Sequence, residues 1–413
     1  MTTDRPAAVL GPGEALAVPF GQNTSMQSRR VVVTGMGVVA APGVGRADFW
    51  QGLTKDPGPG PHAVRDWDPE PAIPRREARR LDRFSQFALV AAAEALAQSG
   101  DMGVDPNRVT VNVATGIGGL ASLEALIGTS YEDEPRASPL WIPMMMCNAA
   151  AAAISIRYGF GGQASTPVVA CAAGAQAILD GLRQVQWGYA DAAVVGGAEG
   201  AIRPPTIEGF ASAKALSPTL TARPFDIDRD GFVLGEGAGI LILEERQHAL
   251  DRGATILAEL AGGASTADAH HITAPHPDGD GAERAVRLAI ADAGLTPADV
   301  GYVNAHGTGT DLNDRTEGAV IARVFEDTQP PVSSVKGVNG HALGASGALE
   351  ALVGVLAIER SQLPPTVGLV SQDPDIALTG LITEPLPWIP APIISNSFGF
   401  GGHNTVLVVS PPT

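Results

Sequence analysis

Short β-branched runs alternate with Ala-rich stretches of helical composition along most of this chain, which confines it to a buried sheet covered by helices. The run from Arg30 to Thr34 reads as the first strand, Phe84 to Gln98 as helix, and Ala192 to Val195 and Ile240 to Leu243 as buried strands. After Gly262 the pattern starts again, with Ala282 to Ala293 helical, Val300 to Asn304 a strand, Ala348 to Glu359 helical and Thr405 to Val409 a closing strand. Two comparable α/β halves joined near residues 250 to 265 are therefore expected. No short solenoid repeat interrupts them.

Composition narrows the class. With 413 residues, 45% hydrophobic and 17% charged, and with 50 Gly and 33 Pro, the chain reads as a turn-rich globular enzyme. A formal net charge of −17 argues against nucleic acid and anionic membrane as partners, since both call for clustered positive charge. Two cysteines, Cys147 and Cys171, support neither a disulfide framework nor a Cys-rich zinc site, and a reducing cytoplasm is the simplest setting. Residues 1–28 lack the features of a secretory signal and read as a flexible tail. The apolar stretch from Leu140 to Ile156 is broken by Pro143 and Asn148, which fits a core or subunit-interface segment rather than a membrane span.

Two motifs point away from the main reading. Gly35, Gly37 and Ala40 after a strand superficially match a dinucleotide fingerprint, which would imply an NAD(P)-dependent oxidoreductase. Pro42 and Gly43 interrupt the helix that should open there, and no acidic residue ends a second strand at the required distance. The loop holding His270, His271 and His276 lacks helical metal spacing and carries two prolines, so a polar loop near a site is expected, with no metal.

The chemistry concentrates in four clusters. Val168 and Val169 lead as a strand into Cys171, followed by Ala172, Ala173, Gly174 and Ala175, which makes a strand-to-helix elbow. A cysteine at a helix N-terminus meets unpaired N–H groups and the positive dipole end, which favour the thiolate. A buried, inert thiol is the competing reading of that segment alone. His306 ends a strand in a turn of glycines and hydroxyls with Thr308 and Thr310, and Lys336 and His341 occupy another Gly-rich turn ahead of a helix. The run from Ile394 to Asn404 holds Phe400 among glycines, which allows backbone N–H groups to approach a substrate. Two such histidines with a candidate thiolate and a lysine point to one shared site.

Together these segments resemble the elongating β-ketoacyl carrier-protein synthases of the thiolase-fold condensing enzymes, a likeness that runs from Arg29 to Val409. Arg30 to Gly35, Asp82 to Ala88, Thr115 to Gly119, Arg223 to Phe232 and Gly235 to Gly239 carry it along with the four clusters. The resemblance implies an α/β thiolase-like fold, two βαβαβ-type halves in five αβαβα layers, divided as 29–260 with the nucleophile and 261–413 with the histidines and lysine. It implies a decarboxylative Claisen condensation, in which Cys171 takes an acyl chain from a phosphopantetheine thioester and His306 and His341 assist attack by a decarboxylated malonyl unit. By the same likeness Cys171 and Phe400 N–H groups form the oxyanion hole, Phe400 gates the acyl chain, Lys336 pairs with Glu317, and Thr308 and Thr310 hold the pantetheine arm. No cofactor is implied beyond the carrier's own phosphopantetheine.

Ile117 and Met146, with Phe400, are candidates for the acyl pocket and the dimer seam, and Arg75, Arg76, Arg79 and Arg80 for docking an acidic acyl carrier protein. Val169, Ala173 and Asn339 depart from the usual hydroxyl-bearing pattern, which suggests a specialised synthase of a discrete polyketide pathway. A chain-length-factor-like partner subunit is the alternative, and Cys171 speaks against it because such subunits usually lack the nucleophile. Primer, extender, cycle number, pathway, cognate carrier, and homodimer or heterodimer with a chain-length factor stay open.

Overall fold

In the computed structural model, which describes residues 28–70, 72–131 and 138–413, the β-branched runs line up in one continuous sheet. The first half contributes β1 (Val31–Ala40), β2 (Val109–Ala114), β3 (Ala164–Ser165), β4 (Ala192–Glu199) and β5 (Gly237–Glu245). The second contributes β6 (Ala258–Ala267), β7 (Tyr302–Asn304), β8 (Val332–Ser333), β9 (Ile393–Gly399) and β10 (His403–Ser410). Their spatial order is β3-β2-β4-β5-β1-β6-β10-β9-β7-β8, with a two-residue strand, Gly43–Val44, paired to β1.

Counted from its own start, each half therefore has the order 3-2-4-5-1. Directions match as well: the third strand is parallel to the second and the second to the fourth, while the fifth is antiparallel to both its neighbours. The fold is an internal duplication, and its halves join where β1 runs antiparallel to β6 at Val32 and Val33. The expected division after residue 260 falls inside β6, a few residues past the seam.

Five long helices complete the layers: α1 (Arg83–Ser99), α2 (Ala173–Gln186), α3 (Asp280–Asp292), α4 (Asp311–Phe325) and α5 (Ser346–Arg360). Helix α1 covers the outer face of the first half, α3 and α4 that of the second, and α2 and α5 lie between the two. That is the αβαβα sandwich of a thiolase-like fold. A helix covered on all sides must be apolar all round. Every residue of α5 from Ser346 to Ile358 is buried, and Glu350 is the one charge among them. A Cβ on Gly174 would lie 2.7 Å from the Ala348 nitrogen, so glycine is what lets α2 and α5 touch.

Three segments singled out in the sequence can now be placed, and the second of them is a correction. Gly35 and Gly37 lie within β1, where added Cβ atoms would come within 2.1 and 2.0 Å of α1 carbonyl oxygens. These glycines serve strand–helix packing and cradle no phosphate. Val168 and Val169 are not in a strand, because β3 ends at Ser165. The apolar stretch near Leu140 divides into helices Trp141–Met145 and Ala149–Tyr158, of which the second buries Ala150, Ala151 and Ile154 beneath α1. The expected tail, 1–28, lies outside the described residues except for Ser28, and no helix among those described is long and apolar enough to cross a membrane.

Candidate active site

The chain reaches the head of α2 through a sharp elbow. Ala170 adopts a φ of 50° and opens a single 3-10 turn, Ala170–Ala172, and α2 begins at Ala173. A left-handed alanine costs roughly 1–2 kcal/mol, strain of the kind that holds a nucleophile at the apex of a turn. On the other side, a Cβ on Gly399 would lie 3.1 Å from the Cys171 nitrogen, so glycine lets the turn around Phe400 press against the elbow. The N–H groups of Phe400 and of Cys171 itself both favour negative charge on the sulfur.

Those donors do not make the resting thiol acidic. Burial pushes the Cys171 thiol up to about 11, against the opposing pull of Lys336 and the two N–H groups. The thiolate expected from the helix N-terminus is thus corrected to a protonated thiol at neutral pH, because desolvation outweighs the dipole.

His306 follows β7 and His341 precedes α5, and their rings meet edge to face with centroids 5.5 Å apart. Both are buried. Burial first, and the Lys336 charge second, hold both well below the usual imidazole range, so both are neutral at pH 7. The Lys336 ammonium donates to the His306 carbonyl oxygen at 2.6 Å and lies 3.2 Å from its Nδ1. An ammonium only donates, so Nδ1 carries the lone pair and Nε2 the proton. His341 Nδ1 lies 2.9 Å from the Ser346 hydroxyl at the start of α5.

Glu317 is not the partner of Lys336. Its carboxylate accepts the N–H groups of His306 at 2.8 Å and Gly307 at 2.7 Å and the Asn396 amide at 3.0 Å, so it shapes the His306 turn. Lys336 instead forms a buried ion pair with Glu350 of α5. Burial pushes Glu350 up to about 7 with Lys336 opposing. Sequence reasoning missed Glu350, although a single carboxylate inside an otherwise apolar helix was a legible signal, since such a charge needs a partner. It also missed Glu199 at the end of β4. This carboxylate accepts the N–H groups of Gly116 at 2.7 Å and Gly344 at 3.1 Å, and thereby joins a turn of each half beneath the site.

Cys171, His306 and His341 open on one cavity of about 290 Å³, which Phe210, Phe232, Phe398 and Phe400 line with apolar surface and Thr308 and Thr310 with hydroxyls. Thr273 to Pro275, from the His-rich loop, line it too. Ile117 and Met146 do not line this cavity within the single chain, where they stand 37% and 46% exposed. Arg75, Arg76, Arg79 and Arg80 are exposed and away from the cavity lining; Arg75 pairs with Glu70 at 3.0 Å, and Arg83 is occupied by Glu236.

Comparison with known proteins agrees with this arrangement. Residues 61–249 match the beta-ketoacyl synthase N-terminal domain and residues 257–370 the C-terminal domain. The chain is 44% identical to a 3-oxoacyl-[acyl-carrier-protein] synthase 2 of Synechocystis sp., over 93% of this chain and 98% of that protein. Among solved structures, the ishigamide ketosynthase/chain length factor superposes with a TM-score of 0.87 at 32% identity, covering 94% of this chain and all of that one. A type II polyketide ketosynthase, solved in complex with its acyl-carrier protein and bound to the hexaketide, gives 0.84 at 31% identity, with 94% and 100% covered.

Proposed function

This chain belongs to the beta-ketoacyl synthase family, and we propose that it lengthens a carrier-bound acyl chain by decarboxylative condensation on Cys171. The observation that carries the reading is the opening of one thiol and two neutral imidazoles on a single cavity, beside the Phe400 turn.

In the first half-reaction the Cys171 sulfur attacks the acyl thioester carbonyl while its proton passes to a neutral imidazole. The Cys171 and Phe400 N–H groups hold the developing oxyanion, and the carrier's pantetheine thiol leaves with that proton. In the second, a malonyl thioester loses carbon dioxide. His306 Nε2–H and His341 donate to the enolate oxygen, whose carbon then attacks the acyl-Cys171 carbonyl and releases the sulfur. Thr308 and Thr310, with hydroxyl oxygens 2.9 Å apart on the cavity wall, suit the amide-rich pantetheine arm. The first half, 29–260, supplies the nucleophile and the second, 261–413, the imidazoles, so neither acts alone.

Acyl carrier protein is the partner, docked through Arg75, Arg76, Arg79 and Arg80. The exposed Ile117, Ile142, Met146 and Ile156 suit a seam with a second copy or with a chain-length factor. A discrete polyketide pathway in the cytoplasm fits the altered elbow and the ketosynthase/chain length factor likeness. The test is turnover with an acyl-carrier and malonyl-carrier: a product two carbons longer with matching carbon dioxide release is expected, and decarboxylation without chain extension overturns the reading.

A further inference from the structure

The internal duplication extends to the elbow that carries the nucleophile. In the first half β3 is followed by left-handed Ala170, one 3-10 turn and the central helix α2. In the second half β8 is followed, further along, by Leu343 with a φ of 44°, the 3-10 turn Leu343–Ala345 and the central helix α5. Gly344 is therefore the counterpart of Cys171. The fourth strand of each half ends against the elbow of the other: β9 approaches the Cys171 nitrogen at Gly399, and β4 reaches the Gly344 nitrogen through the Glu199 side chain.

The two elbows differ in what occupies them. At the first, the Cys171 and Phe400 N–H groups flank the sulfur, where an oxyanion can form. At the second, the place is filled: Glu199 Oε2 accepts the Gly344 N–H at 3.1 Å and the Gly116 N–H at 2.7 Å, and Oε1 accepts the Thr115 hydroxyl at 3.1 Å. A Cβ on Gly344 would lie 2.1 Å from the Gly116 nitrogen, so this elbow has no room for a nucleophile.

Glu199 is fully buried, and burying a carboxyl group is costly. What it holds is Leu343, whose left-handed backbone persists only where the surroundings enforce it. The Gly344 N–H that Glu199 grips is the next one along the chain. Leu343 lines the active-site cavity and shares a buried cluster with Cys171 and Phe232.

We propose that Glu199 is a positioning residue: its carboxyl group fills the oxyanion place of the second elbow and so fixes Leu343 as a wall against the chain carried on Cys171. This rests on the reading of Cys171 as the acyl-accepting thiol.

The wall is tested without turnover, by alkylating Cys171 with N-methyl- and N-octyl-iodoacetamide in the full chain with Cys147→Ser. The ratio of the two rates cancels any change in thiol acidity, and it stays readable even if condensation fails. Glu199→Asp keeps the charge but draws the carboxyl group back by one carbon–carbon bond, and should raise the octyl-to-methyl ratio about ten-fold. Glu199→Gln, whose amide oxygen can accept both N–H groups while its NH2 donates to Thr115, should keep the wild-type ratio. Leu343→Ala should raise the ratio as Glu199→Asp does, and the double variant should go no further. A wild-type ratio in Glu199→Asp, an equal change in Glu199→Gln, or effects of Asp and Leu343→Ala that multiply would overturn the proposal.

Discussion

Lys336 forms a buried ion pair with Glu350 and donates to the His306 carbonyl oxygen at 2.6 Å. One ammonium thus couples the buried central helix α5 to the turn that carries His306, and it fixes which His306 nitrogen faces outward with a proton.

Removing either partner strands the other in a dry interior. Glu350→Ala should cost about 3–5 kcal/mol in urea unfolding, whereas Lys336→Met combined with Glu350→Leu should recover most of that loss. The paired variant should still decarboxylate malonyl-carrier slowly, since nothing then sets the His306 tautomer. Stability losses that simply add would contradict the pairing.

The protonated thiol predicts an unusual alkylation profile. With Cys171 near 11, iodoacetamide labelling in a Cys147→Ser background should climb about ten-fold per pH unit between about pH 7 and 9. A plateau below the ordinary cysteine range would mean that the helix N-terminus dominates after all.

Glu199 makes stability depend on pH. Burial lifts it from 4.5 to about 7, so between those values the folded chain holds a proton that the unfolded chain has released. Its contribution is full below the unfolded value and is lost as pH rises through about 7, by about 3 kcal/mol. His306 and His341 run the opposite way: their contribution is present above 6.5 and is lost as pH falls towards their lowered values. Relative to wild type, Glu199→Gln should therefore gain stability from about pH 5 to about pH 8 in urea titrations. A constant difference would show that Glu199 ionises normally.

Carrier docking separates from chemistry. Arg79→Glu with Arg80→Glu should raise KM for the acyl-carrier about ten-fold or more and leave acylation by a small soluble thioester unchanged. Equal loss of both would place these arginines outside the docking surface.

How much was legible in the sequence follows the range of the forces involved. The strands around Val31, Ala192 and Thr405 and the helices around Phe84 and Ala348 were readable because each is a continuous apolar period, and the restart after Gly262 gave the duplication. Cys171, His306, Lys336 and His341 stood out through their Gly-rich turns. Glu350 was legible as a lone carboxylate in an apolar helix, but whether Lys336 pairs with it or with Glu317 of α4 is decided only by the packing of α5. The Cys171 thiol was misjudged for a related reason: a helix N-terminus is local, while desolvation depends on what the rest of the chain closes over the sulfur. Val168 and Val169 look like a strand, yet the elbow needs their backbone free to turn at Ala170.

The most direct measurement is intact mass after incubation with an acyl-carrier, with Cys171→Ala beside the wild type. The wild type should gain the mass of one acyl group and lose it again on adding malonyl-carrier, and the variant should gain nothing. An equal gain in the variant, or an adduct that malonyl-carrier leaves untouched, would contradict Cys171 as the atom on which the chain is handed over.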